Sequence, residues 1–334
     1  MKAFVHAGEP GLKGTAVKDI PKPEPGAGEV RLKVVTAGLN HRDLFVLHRH
    51  TEDNPLVIGS DCAGIVDKLG EDVEGLEEGE AVVVNPGLHW EEESPAPPEG
   101  FEILGFPGDG TFAEYAVVPA SSLEPKPPHL SWEEAGVFSL AALTAYRALF
   151  TRGGLQSSHT VLLPGVGGGA VTLMLLFAKK TGARVIVTSR SEAKRRMALE
   201  AGADAAIDSS GNWEEQLEGE KVDLVVETVG AATFQKSLDQ LKKGGTMVMF
   251  GASAGDEVKL NLREFFYGQY NLLGSTMGSH EEYRDMLAFI SKHNIHPLMD
   301  KTFSLKDANE AFQRMEKSGQ FGKIAFRISG EVEE

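Results

Sequence analysis

The chain has 334 residues, 41% hydrophobic and 25% charged, and 33 Lys plus Arg against 49 Asp plus Glu leave a formal net charge of −16. That length suits two domains, each able to bury a core, and the composition is that of an ordinary globular protein. The acidic balance repels polyanions unless basic residues gather on one face, and the one short basic cluster, Lys194, Arg195 and Arg196, has acidic neighbours on a predicted helix and reads as a solvated face for its outer members.

From Met1 to about Lys126 the chain is rich in Gly, Pro and short β-type runs (GEVRLKVVTAG, AGIVDKLG, EAVVVNP, FAEYAVVP), which predict a lobe of short strands. His48 and His50, two apart in a polar stretch, read as solvated or capping, and PAPPEG, Pro95 to Gly100, reads as a surface excursion. The proline-rich EPKPPHL, Glu124 to Leu130, marks a boundary, and the capping box from Ser131 to Glu134 predicts a helix running through Ala148. From Thr160 onward strands alternate with helices: TVLL, ARVIVTS, AAID, VDLVVE from Val222, TMVMFG from Thr246 and NLLGST from Asn271. That alternation predicts a doubly wound parallel sheet of six strands. After Ser279 a helix over Tyr283 to His293 precedes a strand-helix-strand tail ending in GKIAFRIS, which is expected to return to the first lobe. His293 and His296 flank the end of that helix and read as solvated or capping. The expected organisation is thus a catalytic domain of residues 1–127 and 279–334 and a nucleotide-binding domain of residues 128–278.

Between the first two strands of the sheet stands PGVGGGAV, Pro164 to Val171. Gly165 and Gly167 let the chain turn tightly and bring N–H groups of Gly167, Gly168 and Gly169 to a pyrophosphate, and Ala170 lets the next helix pack close to the strand. The phosphates would sit at the positive end of that helix. The helix runs through Leu173 and Phe177 to Thr181 and stops at Gly182.

Several further motifs extend over nearly the whole chain: AGLNHRD (Ala37 to Asp43), IGSDCAGIV (Ile58 to Val66), GDGTFAEYAVVP (Gly108 to Pro119), LAALTAYRAL (Leu140 to Leu149) and DLVVETVG (Asp223 to Gly230). With the glycine loop and the GKI tail they resemble the medium-chain dehydrogenase/reductase superfamily, and within it the zinc-lacking, quinone-oxidoreductase-like branch. The resemblance implies an α/β fold: a GroES-like β-barrel-type catalytic domain and a Rossmann domain with a doubly wound parallel six-stranded sheet. One departure is Val171, where relatives carry Gly or Ala. Zinc-bearing relatives place a cysteine where Asn40 stands and a histidine and glutamate where Ser60 and Asp61 stand. Their structural zinc lobe corresponds to His89 to Gly100, which holds no cysteine. Asn40 and Ser60 are poor zinc ligands, so the expectation is that no metal is bound.

An acidic residue about twenty positions beyond the glycines would hold the ribose hydroxyls of NAD. This chain has Ser189 and Arg190 there, which suit a 2′-phosphate, so the expected cofactor is NADPH. Lys194 fits either a third phosphate ligand or a solvated lysine. The ends of later strands should meet the nicotinamide half, through Thr228 and Val229, Phe250, Gly251 and Ala252, and Thr276 and Met277. Phe250 and Met277 fit core packing equally well. The resemblance adds Thr144 and Tyr146.

Without a metal, the chemistry expected is hydride transfer to quinones, α,β-unsaturated carbonyls or related reactive carbonyls, whose charge collects on a delocalised oxygen. Asn40 is the candidate for orienting the substrate or a proton-carrying water; Asp43 is a further catalytic candidate, though it and Asp61 fit structural partners of neighbouring basic groups as well, and Tyr267 and Tyr270 are candidate phenolic donors. Two other readings stay open: a zinc-type alcohol dehydrogenase, and a nucleotide-sensing or RNA-binding protein that keeps the fold without turnover. The partner expected is a small-molecule substrate, with no nucleic acid. No membrane is expected either, since Ala170 to Ala178 is too short to span a bilayer. MKAFVHAGEP lacks the apolar core of a secretory signal and Cys62 is the only cysteine, which fits a cytoplasmic setting. The apolar edge strand NLLGSTM predicts a homodimer that covers it.

Overall fold

The computed structural model describes residues 1–329 and divides by contact into two units, Met1–Ala141 with the segment from Gly278 onward, and Ala142–Met277. The first boundary falls after Ala141 rather than at residue 128.

The first unit is built on the long strand Glu29–Leu39, whose near-continuous apolar run is buried on both faces. It pairs antiparallel with Asp61–Leu69, with Tyr115–Pro119 and with Lys323–Arg327. The sheet runs in the order Leu123–Pro125, Ala81–Val84, Asp61–Leu69, Glu29–Leu39, Lys323–Arg327, Met299–Ser304. The carboxy-terminal strand is therefore an interior member of the sheet. Its Phe326 meets Phe112 edge to face at 4.8 Å between ring centroids, in a core that also holds Leu32, Leu39 and Phe312.

The helix expected from Ser131 through Ala148 is broken. The Ser131–Glu134 capping box forms, but the helix ends at Ala135 and resumes over Ser139–Tyr146, followed by a π-helical segment Arg147–Arg152. The cause is tertiary. The break lies directly on the strand Glu29–Leu39: a Cβ on Gly136 would stand 2.6 Å from Thr36 O, and one on Gly38 would stand 2.5 Å from Val137 Cα. Backbone rests on backbone there, and no side chain fits between.

The second unit contains the expected parallel sheet, in the order Ala205–Asp208, Arg184–Ser189, Thr160–Leu163, Val222–Glu227, Leu241–Met249, Asn271–Gly274. The fifth strand begins at Leu241, earlier than Thr246, with a register shift against its neighbour. Helix Gly169–Thr181 follows the first strand and stops at Gly182, whose φ of 92° is left-handed, as the glycine predicts. Val171 is accommodated, 4% exposed in the first turn of that helix. Among the described residues no helix is long and apolar enough to cross a membrane.

The close approach at Gly38 leads to the first prediction. Gly38→Ala should cost about 1–3 kcal/mol through overpacking, seen as a lower thermal midpoint; an unchanged midpoint would contradict the contact.

Candidate functional site

In the second unit the carboxyl ends of the parallel strands carry the expected nucleotide residues, and hydrogen bonds tie these ends to one another. Val166 N–H donates to Thr188 O at 2.8 Å, Phe250 N–H to Glu227 O at 3.3 Å, Ala254 N–H to Val229 O at 2.7 Å and Ser275 N–H to Met249 O at 2.9 Å. Gly165 and Gly167 have φ of 78° and 142°, which bulkier residues adopt only with strain. A Cβ on Gly165 would press on Val229 at 2.7 Å, and one on Gly167 would stand 2.7 Å from Lys194 Nζ. Lys194 is therefore held over the glycine loop, on the helix Glu192–Glu200 that follows Ser189 and Arg190. Ser189 is buried, its hydroxyl accepting Ser191 N–H at 3.2 Å and its carbonyl accepting from Arg195, whereas Arg190 is exposed. Arg195 also pairs with Asp208 at 3.4 Å, so of the basic cluster only Arg196 lies on a fully solvated face.

These features fit a dinucleotide. Gly168 caps the helix and Gly169 begins it, so its first N–H groups face the loop as an anion site requires. Ala170 is half-buried in the first turn. Thr228, Phe250 and Gly251 are half-buried at their strand ends, and Ala252 is exposed. Thr276 is half-buried, Met277 is 3% exposed, and Thr144 is buried in its helix. A residue the sequence reading missed is Glu227. Its carboxylate, 1% exposed, accepts Val229 N–H at 2.7 Å, Gly230 N–H at 3.1 Å, Thr233 Oγ at 2.9 Å and Ser237 Oγ at 2.6 Å. It shapes the turn that carries Thr228 and Val229. Its signal is the acidic residue that closes the apolar run Leu224 to Val226.

In the first unit Asn40 ends the central strand and caps helix His41–Arg49. Its Nδ2 donates to Asp61 Oδ2 at 2.9 Å, and its Oδ1 accepts from Lys323 Nζ at 2.6 Å. Lys323 also donates to Leu39 O at 3.1 Å and lies 3.5 Å from Asp61 Oδ2. Asp61 Oδ1 accepts Leu140 N–H at 2.8 Å. Asp61 and Lys323 are 0% and 3% exposed, so burial pushes the carboxyl up and the ammonium down while each charge opposes the shift in the other. Ser60 accepts from Arg42 at 2.7 Å and donates to Leu104 O at 2.7 Å. This donor set does not fit zinc. It offers an amide, a hydroxyl and one carboxylate, and the ammonium of Lys323 already bonds the oxygens of Asn40 and Asp61 that a metal would need. Among the described residues no group of three or more His, Cys, Asp or Glu side chains is arranged to hold a metal.

The other expected side chains are dispersed. Tyr267 is 67% exposed on helix Leu262–Gly268, its ring beside Phe266, and Tyr270 lies against the apolar core beneath that helix. His50 is buried rather than solvated, with Nδ1 3.0 Å from His6 Nδ1, because helix His41–Arg49 delivers it to the first strand, Lys2–His6. His296 pairs with Glu134 at 2.9 Å.

Asp43 accepts Asn40 N–H on Oδ2 at 2.8 Å, while its Oδ1 is buried with no partner among the described residues. Burial pushes this carboxyl up to about 7, against the pull of Arg42. The folded protein thus holds a proton between about pH 4 and 7 that the unfolded chain releases, and stability drains away as pH rises through that window. Asp43→Asn should match the native protein in urea unfolding near pH 5 and exceed it at pH 8 by about 2.5 kcal/mol. An equal difference at both pH values would refute the assignment.

Residues 26–128 match the alcohol dehydrogenase GroES-like domain and residues 165–292 the zinc-binding dehydrogenase family. A zinc-type alcohol dehydrogenase-like protein of Schizosaccharomyces pombe is 35% identical, over 90% of this chain and 91% of its own. The crotonyl-CoA reductase of Streptomyces collinus is 29% identical, over 93% and 81%. The crystal structure of an NAD-dependent alcohol dehydrogenase, 34% identical, superposes with a TM-score of 0.91 over 98% of this chain and all of its own. That of a crotonyl-CoA carboxylase/reductase in complex with NADP, 25% identical, gives 0.89 over 98% and 94%. With a GroES-like lobe, a glycine-loop parallel sheet and relatives that match along their length, the chain belongs to the medium-chain dehydrogenase/reductase superfamily, and it is an oxidoreductase of that family.

Proposed function

We propose that the protein is an NADPH-dependent, zinc-independent reductase of α,β-unsaturated carbonyls, including enoyl thioesters, and of quinones. The observation that carries this reading is Lys194 held over Gly167 at a strand end that closes in Ser189-Arg190, where a carboxylate would be needed to favour NAD. The crotonyl-CoA reductase relatives, one of them in complex with NADP, support both the cofactor and the acceptor class.

Gly167 to Gly169 and the helix they open would hold the pyrophosphate, and Ser189, Arg190 and Lys194 the 2′-phosphate. Thr144, Thr228, Phe250, Gly251, Ala252, Thr276 and Met277 would line the nicotinamide half. When bound, NADPH supplies the hydride that adds to the β-carbon of the acceptor. The electron pair of the C=C bond then moves toward the carbonyl, whose oxygen takes the charge until a proton from solvent reaches the α-carbon. In this reading Asn40 Nδ2 would be the donor to that oxygen; Asp43 holds Asn40 from its backbone side. A delocalised oxyanion met by hydrogen-bond donors needs no Lewis acid. A second reading, NAD-dependent alcohol oxidation, draws on the likeness to the solved alcohol dehydrogenase.

A screen of NADPH oxidation against enones, crotonyl-CoA, quinones and aldehydes, with a chelator present, should show turnover with the first three groups. Arg190→Ala with Lys194→Ala should raise the KM for NADPH about 10- to 100-fold and leave that for NADH unchanged. Loss of all turnover on chelation, or an unchanged ratio of the two KM values, would favour the alcohol dehydrogenase.

We also propose a cytoplasmic homodimer. The edge strand Asn271–Gly274 and the neighbouring helix surface, with Leu262 at 69%, Phe266 at 52% and Tyr267 at 67% exposure, form an apolar margin that a second copy would cover. Tyr267 belongs to that margin in this reading, in place of a role on substrate. Light scattering should give twice the 35.9 kDa chain mass; a monomer across the micromolar range would exclude the dimer.

A further inference from the structure

Lys323 is the least expected member of the first unit's polar cluster. It opens the carboxy-terminal strand, whose next residue, Ile324, is in register with Leu39, and this register sets its side chain beside Asn40. The ammonium is 3% exposed and faces three acceptors: Asn40 Oδ1 at 2.6 Å, Leu39 O at 3.1 Å and Asp61 Oδ2 at 3.5 Å. An ammonium has three protons and no lone pair. With all three directed inward, Lys323 has none left to offer a substrate.

Its effect falls on Asn40. A carboxamide can be turned end for end at little intrinsic cost, and the two orientations present opposite chemistry. Here the choice is forced. Lys323 can only donate, so it requires the amide oxygen; ionised Asp61 can only accept, so it requires the amide nitrogen. The first Nδ2 proton goes to Asp61 at 2.9 Å, and the second has among the described residues only Gly38 O, at the limiting distance of 3.5 Å. With its oxygen end turned to Lys323, Asn40 presents its nitrogen end, and the N–H left over from Asp61 is what it can donate to a neighbour. A donor stabilises a developing oxyanion, whereas a reversed amide would set its own negative oxygen against that charge.

We propose that Lys323 is a positioning residue for the reduction: by binding Asn40 Oδ1 it commits the Asn40 carboxamide to serve as an N–H donor to the acceptor's oxygen. This rests on the reductase reading above. The hydride still enters at the β-carbon and the proton still comes from solvent; Lys323 exchanges neither. Asp61 shares the task, because its carboxylate holds the nitrogen end and balances the buried ammonium.

Removing Lys323 alone would leave Asp61 as an uncompensated buried charge, so the informative variant is Lys323→Met combined with Asp61→Asn, which removes both charges. The new amide at position 61 can donate to Asn40 and so permits the reversed orientation. This variant should fold, as judged by its melting transition, and lose about 100-fold in kcat while keeping the KM for NADPH. Asn40→Ala should lose a similar factor, and adding it to the double variant should lose little more, because Lys323 acts through Asn40. Undiminished kcat in the folded double variant, or losses that multiply, would overturn the proposal. If the native protein reduces none of the acceptors, the reductase reading fails, yet Lys323 can still be judged. The side-chain amide signals of Asn40 in 15N-asparagine-labelled protein, assigned with Asn40→Ala, should be protected from exchange and should shift in the double variant. Signals that stay unchanged would show that Lys323 does not set the amide.

Discussion

A buried ammonium must find three acceptors or give up its proton, and the first unit meets that demand by bringing together three distant parts of the chain. Lys323 comes from the carboxy-terminal strand, Leu39 and Asn40 from the end of the central strand, and Asp61 from the start of its neighbour. The cluster closes only when the sheet is in register, since a slip of one residue would turn Lys323 to the opposite face. The same bonds that lock the carboxy-terminal strand into the interior of the sheet also orient the amide at the head of helix His41–Arg49. Structure and site are therefore stabilised together, and neither partner of the ion pair can be removed alone without cost.

Around that cluster the first unit uses absence of side chains as much as their presence. Gly38 and Gly136 let the segment after Ala135 lie on the central strand, and that placement brings Leu140 N–H to Asp61. The broken helix thereby supplies a donor to the cluster. The second unit follows a different principle. Its strand ends are joined laterally by backbone hydrogen bonds, and Glu227 satisfies two N–H groups and two hydroxyls in the turn after the fourth strand. Such a frame presents N–H groups and small residues toward an anion in a fixed arrangement, which is what a dinucleotide requires.

Much of this was legible along the chain because it is local. The glycine turn, the helix stopped by Gly182 and the alternation of strand and helix are short-range signals, and the parallel sheet follows from them. The capping box at Ser131 is a local signal, whereas the break before Ser139 is not, because the strand beneath it imposes the interruption. His50 looked solvated because its neighbours in sequence are polar; its partner, His6, lies on another element. Asn40 stands out in the sequence as an amide in a ligand's place, but nothing near it along the chain points to Lys323.

By itself the sequence determined the parallel sheet, the glycine loop and the residue types at the strand ends, because these follow from backbone conformation and from periodicity over a few residues. It also determined that the chain carries amide and hydroxyl groups where zinc-bearing relatives carry ligands. Only the tertiary structure decided which way the Asn40 amide faces, that Lys194 hangs over Gly167, and that Asp43 keeps a proton to about neutral pH. Those properties depend on burial and on partners far apart in the chain, and desolvation is a quantity that no single segment carries.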